Sequence, residues 1–160
     1  MKKLLLVLVA VLGLSFAANA QNIGGRFGGV GTSKNGANVG YNAELSYQHY
    51  LSGPNRLEFD LGFSRNNDNY INFAIGYHWL FPIAGDFSWF IGPAVNLGYC
   101  NNDGIGLAVG AQGGAEWNPK NAPIQLAVDF RPVYEFILPD HCYYNGFGYG
   151  VAFSVRYRIH

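Results

Sequence analysis

The 160-residue chain carries ten basic and ten acidic side chains, so only 12% of it is charged, while 16% is aromatic and 22 residues are glycine. Soluble domains usually hold about 25% charged residues; half that fraction cannot cover the outside of a water-soluble domain of this size. The absence of any basic excess also argues against a nucleic-acid partner.

The chain opens with Lys2 and Lys3, an eleven-residue apolar run at 4–14 and a small-residue "ANA" at 18–20. This is the pattern of a secretory signal peptide cleaved after Ala20. The run is too short to span a bilayer as a helix, which needs about 20 residues. The expected mature domain is 21–160, with eight basic and ten acidic groups and a net charge near −2. No later stretch is apolar for long enough to be a transmembrane helix. A membrane location would therefore require a closed barrel, the other architecture that satisfies every backbone polar group in lipid.

From residue 22 onward the chain divides into eight alternating segments separated by turn-forming clusters. The first, 22–32, is glycine-rich, with Arg26 opposite in phase to Ile23 and Phe27. The second sets Val39, Tyr41, Ala43, Leu45, Tyr47 and His49 against Gly40, Asn42, Glu44, Ser46 and Gln48. "SGPN" at 52–55 then turns the chain. The third sets Leu57, Phe59, Leu61 and Phe63 against Arg56, Glu58, Asp60, Gly62 and Ser64. The fourth sets Ile71, Phe73, Ile75, Tyr77 and Trp79 against Asn72, Ala74, Gly76 and His78, with "FPIAGD" as its turn. The fifth carries Phe87, Trp89, Ile91, Pro93, Val95, Leu97 and Tyr99 on one side. The sixth opposes Ile105, Leu107, Val109 and Trp117 to Gly106, Ala108, Gln112 and Glu116. The seventh opposes Ile124, Leu126, Val128 and Phe130 to Gln125, Ala127, Asp129 and Arg131. The eighth opposes Phe147, Tyr149, Val151, Phe153, Val155, Tyr157 and Ile159 to small residues, Arg156 and Arg158. Pro93 and Pro132 fall inside segments, where a lost ladder bond predicts a bulge or bend.

A period of two is a strand whose faces meet different surroundings. Eight such strands in succession predict an all-β, antiparallel up-and-down transmembrane barrel. The small and charged set suits a narrow lumen; the large apolar set suits lipid. A lipocalin-like carrier with reversed faces would have to pack that large set inside, where eight strands leave room for modest side chains only. Aromatic placement agrees with lipid. With both chain ends at one rim, Trp79, Trp89, Trp117, Tyr47 and Tyr157 fall there, and Tyr41, Tyr70, Tyr99 and Tyr149 fall at the other, joined by Phe63 and Tyr134. Rings at both interfaces are the mark of lipid-facing strands.

The signal peptide, eight alternating strands and aromatic rims resemble the small outer-membrane β-barrel family that includes OmpX and the transmembrane part of OmpA. The resemblance covers 21–160. It implies Sec-type export to the bacterial outer membrane, outer-membrane lipid as surroundings and the barrel-assembly machinery as a partner during biogenesis. Members commonly finish on an aromatic, whereas this chain finishes "YRIH", with Tyr157 and Ile159 outward.

The inward charges Arg26, Glu44, Glu58, Asp60, Asp129, Arg131, Arg156 and Arg158, with Glu135 beside them, are expected to interlock in the lumen, since an unpaired buried charge is costly. They form a structural plug or, alternatively, a narrow gate for ions or small solutes. Cys100 and Cys142 fall in loops at the rim opposite the chain ends, and since export permits oxidation a disulfide between them is expected. The four histidines have no metal-ligand spacing, and "PDHC" at 139–142 is not a catalytic arrangement. A monomeric, non-enzymatic protein without cofactor or metal is expected, with a structural or surface-interaction role.

Overall fold

The computed structural model describes residues 21–32, 39–66, 68–100, 104–137 and 146–159. The expected leader, Cys142, His141 and His160 lie outside them. Eight strands follow in order: β1 (Gln21–Thr32), β2 (Val39–Tyr50), β3 (Asn55–Asn66), β4 (Asp68–Ala84), β5 (Phe87–Cys100), β6 (Gly104–Trp117), β7 (Ile124–Ile137) and β8 (Phe147–Ile159). Each pairs antiparallel with the next, and β8 closes on β1. The period-two segments read from the sequence are these strands.

The stagger of the barrel follows from the pairing. A row of partners runs from Thr32 through Gly148, Val133, Gly110, Ala94, Gly76, Glu58 and Gln48 to Asn22. It returns to β1 ten residues (32 minus 22) from its start. Ten residues of ~3.3 Å climbed over eight strands ~4.8 Å apart correspond to a tilt of about 40°. Each residue then rises roughly 2.5 Å along the axis, and a twelve-residue strand crosses about 30 Å, the thickness of a bilayer core.

Gln21 at the start of β1 and Ile159 at the end of β8 lie at one rim, with the β2–β3, β4–β5 and β6–β7 turns; we call it the terminal end, and the opposite rim the loop end. β4 runs further than "FPIAGD" suggests, reaching Ala84 before a turn at Gly85 and Asp86. Pro82 still pairs with Ser88, and Phe81 stacks on Trp89 with centroids 4.5 Å apart, which holds this stretch extended. Gly85 has φ of +59°, as the tight turn requires.

Pro93 and Pro132 do not cause bulges. The β4–β5 pairing lapses between Gly76–Ala94 and Trp79–Ile91, and the β6–β7 pairing lapses between Gly110–Val133 and Gly113–Phe130, each resuming in the same register. The missing donor is absorbed locally because a glycine sits beside each gap. A Cβ on Gly92 would lie 1.7 Å from the Tyr77 carbonyl oxygen, and one on Gly110 would lie 2.0 Å from that of Pro132. The register shifts occur instead between Pro82 and Ala84 and between Leu107 and Ala108.

The faces divide as the alternation predicts. Among the described residues, 29 large apolar or aromatic side chains are exposed on the outside. The interior holds arginines, carboxylates, amides and small residues, and its apolar content is slight: Val30, Ala108 and Val133 meet toward the loop end, and Phe90 is fully buried nearer the terminal end. A water-soluble carrier would have the opposite arrangement, so the reversed-face alternative is overturned.

Candidate functional site

The lumen holds a charge network of hydrogen bonds and ion pairs, and β3 is its hub. Arg56, Glu58 and Asp60 are successive inward residues on that strand, and each reaches a different strand across the barrel. The Arg56 guanidinium donates to Glu116 on β6, and Asp60 accepts from Arg131 on β7. Glu58 accepts from Arg156 on β8 at 3.1 Å, from Gln48 on β2 at 2.5 Å and from Gln112 on β6 at 2.9 Å. Alternation aims the three side chains inward, and the stagger sets which opposite residue each one meets.

Two further clusters extend the hub. Toward the loop end, Arg26 donates twice to Asp129, at 2.6 and 3.1 Å, and once to Glu44 at 2.6 Å. Glu44 also accepts from Asn72 at 2.5 Å and from Asn42 at 3.1 Å. Toward the terminal end, Arg56 lies over the Phe90 ring at 4.5 Å and donates to His78 at 3.3 Å. Gln125 joins Glu116 to the Tyr50 hydroxyl, and Arg156 donates to Ser46 at 2.9 Å. Arg26, Glu44, Arg56, Glu58, Asp60, Glu116, Asp129, Arg131, Glu135 and Arg156 are all 5% exposed or less. Charges so removed from water persist only when paired, and these pairs cross the middle of the barrel from one wall to another. A polar cavity of about 10 Å3, the volume of one water, lies above them, lined by Arg26, Glu44, Asn42, Asn72 and Asn96 among others.

Several residues sit elsewhere than the sequence suggests. Arg158 is not in the lumen network: its guanidinium donates to the Pro119 and Ala122 carbonyls of the β6–β7 turn. It is the last inward position of β8, below the ladder of lumen charges, where backbone acceptors are within reach. Tyr70 is not an interface ring; it is 4% exposed and points inward, because it shares the phase of Asn72, Ala74 and His78. Tyr47 has the outward phase but is 9% exposed, packed against Phe59 with centroids 6.2 Å apart. Trp79, Trp89, Trp117, Tyr157, Tyr41 and Tyr99 are exposed on the outer wall, and Tyr149 is half-buried there. The expected Cys100–Cys142 bond involves Cys142, outside the described residues.

Arg56, Glu116 and His78, with the amides Gln48, Gln112 and Gln125, complete the network and were not singled out as site residues by sequence reasoning. The signal was present, since each is in phase with the inward set of its strand. Charge alone was a poor guide to amides and an imidazole that serve as bridges.

An apolar outer wall around a charged, hydrogen-bonded interior defines a transmembrane β-barrel, since only lipid leaves such a wall without cost. Solved structures share this fold. Neisserial surface protein A matches with a TM-score of 0.68 at 12% identity, over 88% of this chain and 96% of its own. Outer membrane protein H (OprH) from P. aeruginosa matches with a TM-score of 0.63 at 12% identity, over 88% and 100%. Ail, the attachment invasion locus protein of Yersinia pestis, matches with a TM-score of 0.51 at 11% identity, over 88% and 97%. No family profile and no curated protein sequence matches the chain. At these identities the likeness concerns the fold.

Proposed function

We propose that this chain is a monomeric, non-enzymatic protein of the bacterial outer membrane, inserted there by the barrel-assembly machinery, with its lumen closed as a structural plug. Its loop end faces the cell exterior and carries a surface-interaction role. The observation that supports this reading most is the β3 hub, whose three successive side chains bind three different strands across the lumen and so cross-brace the wall. The fold shared with Neisserial surface protein A, OprH and Ail supports the location, and a protein described by its part in attachment supports a role at the surface.

The test is gel mobility of detergent-refolded protein with and without boiling, beside membrane fractionation. A transmembrane barrel resists SDS until heated and sediments with outer membrane; a single band from soluble periplasm refutes the reading. Planar-bilayer recording then separates plug from pore. The pore reading draws on Arg131, which besides Asp60 has Glu58 at 3.7 Å and Glu44 at 3.8 Å as substitute partners. A plug gives no stepwise conductance, and Glu44→Gln leaves it so. Conductance that rises in Glu44→Gln establishes the pore.

A further inference from the structure

The β4–β5 hairpin breaks the symmetry of the terminal end. The last β3–β4 pair is Asn55 with Trp79, yet β4 continues for five residues, 80–84. A single bond from the Leu80 amide to the Pro54 carbonyl ties that extension back toward β3. Five residues at about 40° of tilt carry the hairpin roughly 12 Å past the last β3 pair. The sequence from Trp79 to Gly85, "WLFPIAG", is uncharged, and Asp86 supplies the first charge. Ile83 is 62% exposed and Phe87 53%, the outward side continuing the line of Trp79 and Trp89. Phe81 stacks on Trp89, and Phe87 on Trp117 with centroids 6.1 Å apart, so the tip and the tryptophans form one aromatic surface. The other turns at this end are polar: "SGPN" at 52–55, and "NPKN" at 118–121, where the exposed Lys120 ammonium is 4.0 Å from Asp86 and the Lys120 amide donates to that carboxylate at 3.4 Å.

We infer that this hairpin is an interfacial anchor that inserts into the lipid leaflet at the terminal end, so that the lipid-contacting wall is taller at β4–β5 than around the rest of the barrel. The inference rests on the membrane reading above. Lipid is the favoured occupant because the apolar tip is continuous with the tryptophan girdle. Aromatic and apolar side chains of this kind gain most at the headgroup and upper acyl level. Left in water, the free edge of 80–84 would invite pairing with another strand. Pro82, which has no amide proton, blunts that edge without adding charge.

The experiment uses refolded protein in phosphatidylcholine vesicles whose acyl chains are brominated just below the headgroup, with tryptophan emission as the readout. The triple change Trp79→Phe, Trp89→Phe and Trp117→Phe removes the native indoles, and Ile83→Trp places one at the tip. Ser52→Trp in the same background is the comparison at the exposed, polar β2–β3 turn. If the triple background does not fold by the heat-mobility criterion, Ile83→Trp alone is read by difference from the unaltered protein. The expected result is blue-shifted emission lost to bromine for Ile83→Trp, and water-like, unquenched emission for Ser52→Trp. Unquenched emission from Ile83→Trp, or equal quenching of both variants, overturns the inference. Unquenched emission from the unaltered protein's own tryptophans refutes the membrane reading instead.

Discussion

Arg26→Met tests whether the lumen charges act as a mutually dependent set. Arg26 is 1% exposed and donates twice to Asp129, at 2.6 and 3.1 Å. Glu44 loses its 2.6 Å bond from Arg26 but keeps Asn42 and Asn72 as donors. The substitution therefore strands chiefly one buried carboxylate, Asp129. Breaking a buried pair from one side costs about 3–5 kcal/mol, whereas replacing both partners by apolar groups of similar volume is often neutral. Arg26→Met should accordingly lose about 3–5 kcal/mol, and Arg26→Met with Asp129→Leu should recover most of it. The assay is reversible urea unfolding in detergent or vesicles followed by tryptophan fluorescence. With a slope of roughly 2 kcal/mol per molar, the single variant's midpoint falls by about 2 M. A loss below about 1 kcal/mol for Arg26→Met, or a double variant as unstable as the sum of its singles, refutes the reasoning.

Leu61, outward near mid-height of β3, should tolerate Ala far better than Arg, with Leu61→Arg costing about 2–4 kcal/mol in vesicles against about 0–1 for Trp117→Arg at the rim; equal costs would contradict lipid as the surroundings of the wall. Gly92→Ala should destabilise by about 1–3 kcal/mol, since its Cβ meets the Tyr77 oxygen at 1.7 Å, while Gly113→Ala, whose nearest atom is 3.4 Å away, should cost much less by the same urea assay. Labelling of unfolded, unreduced protein with a thiol reagent should find no free sulfhydryl if Cys100 and Cys142 are bonded; two labels per chain would reject that disulfide.

Alternation is a local property, and it was legible residue by residue. Phe59, Leu61 and Phe63 must share a face opposite Glu58 and Asp60 in any strand, and the scarcity of charge says that the large face meets lipid. From these alone come the eight strands, the all-β class and the polar interior. The same rule excludes Tyr70 from the outer wall, because 70 has the phase of 72 and 74. Partner choice is different. That Arg56 meets Glu116, that Asp60 meets Arg131 and that Arg26 takes both Glu44 and Asp129 depends on a stagger of ten residues accumulated over eight strand pairings. A slip of two residues in one pairing would keep every side chain on its face and re-pair the whole lumen. Arg158 shows the same limit, since its inward phase was readable but its height below the ladder was not. The sequence by itself determined which side chains point inward, because that follows from the geometry of one strand. Only the tertiary structure decided which of them touch, because contact across a barrel depends on closure, and closure is a property of all eight strands together.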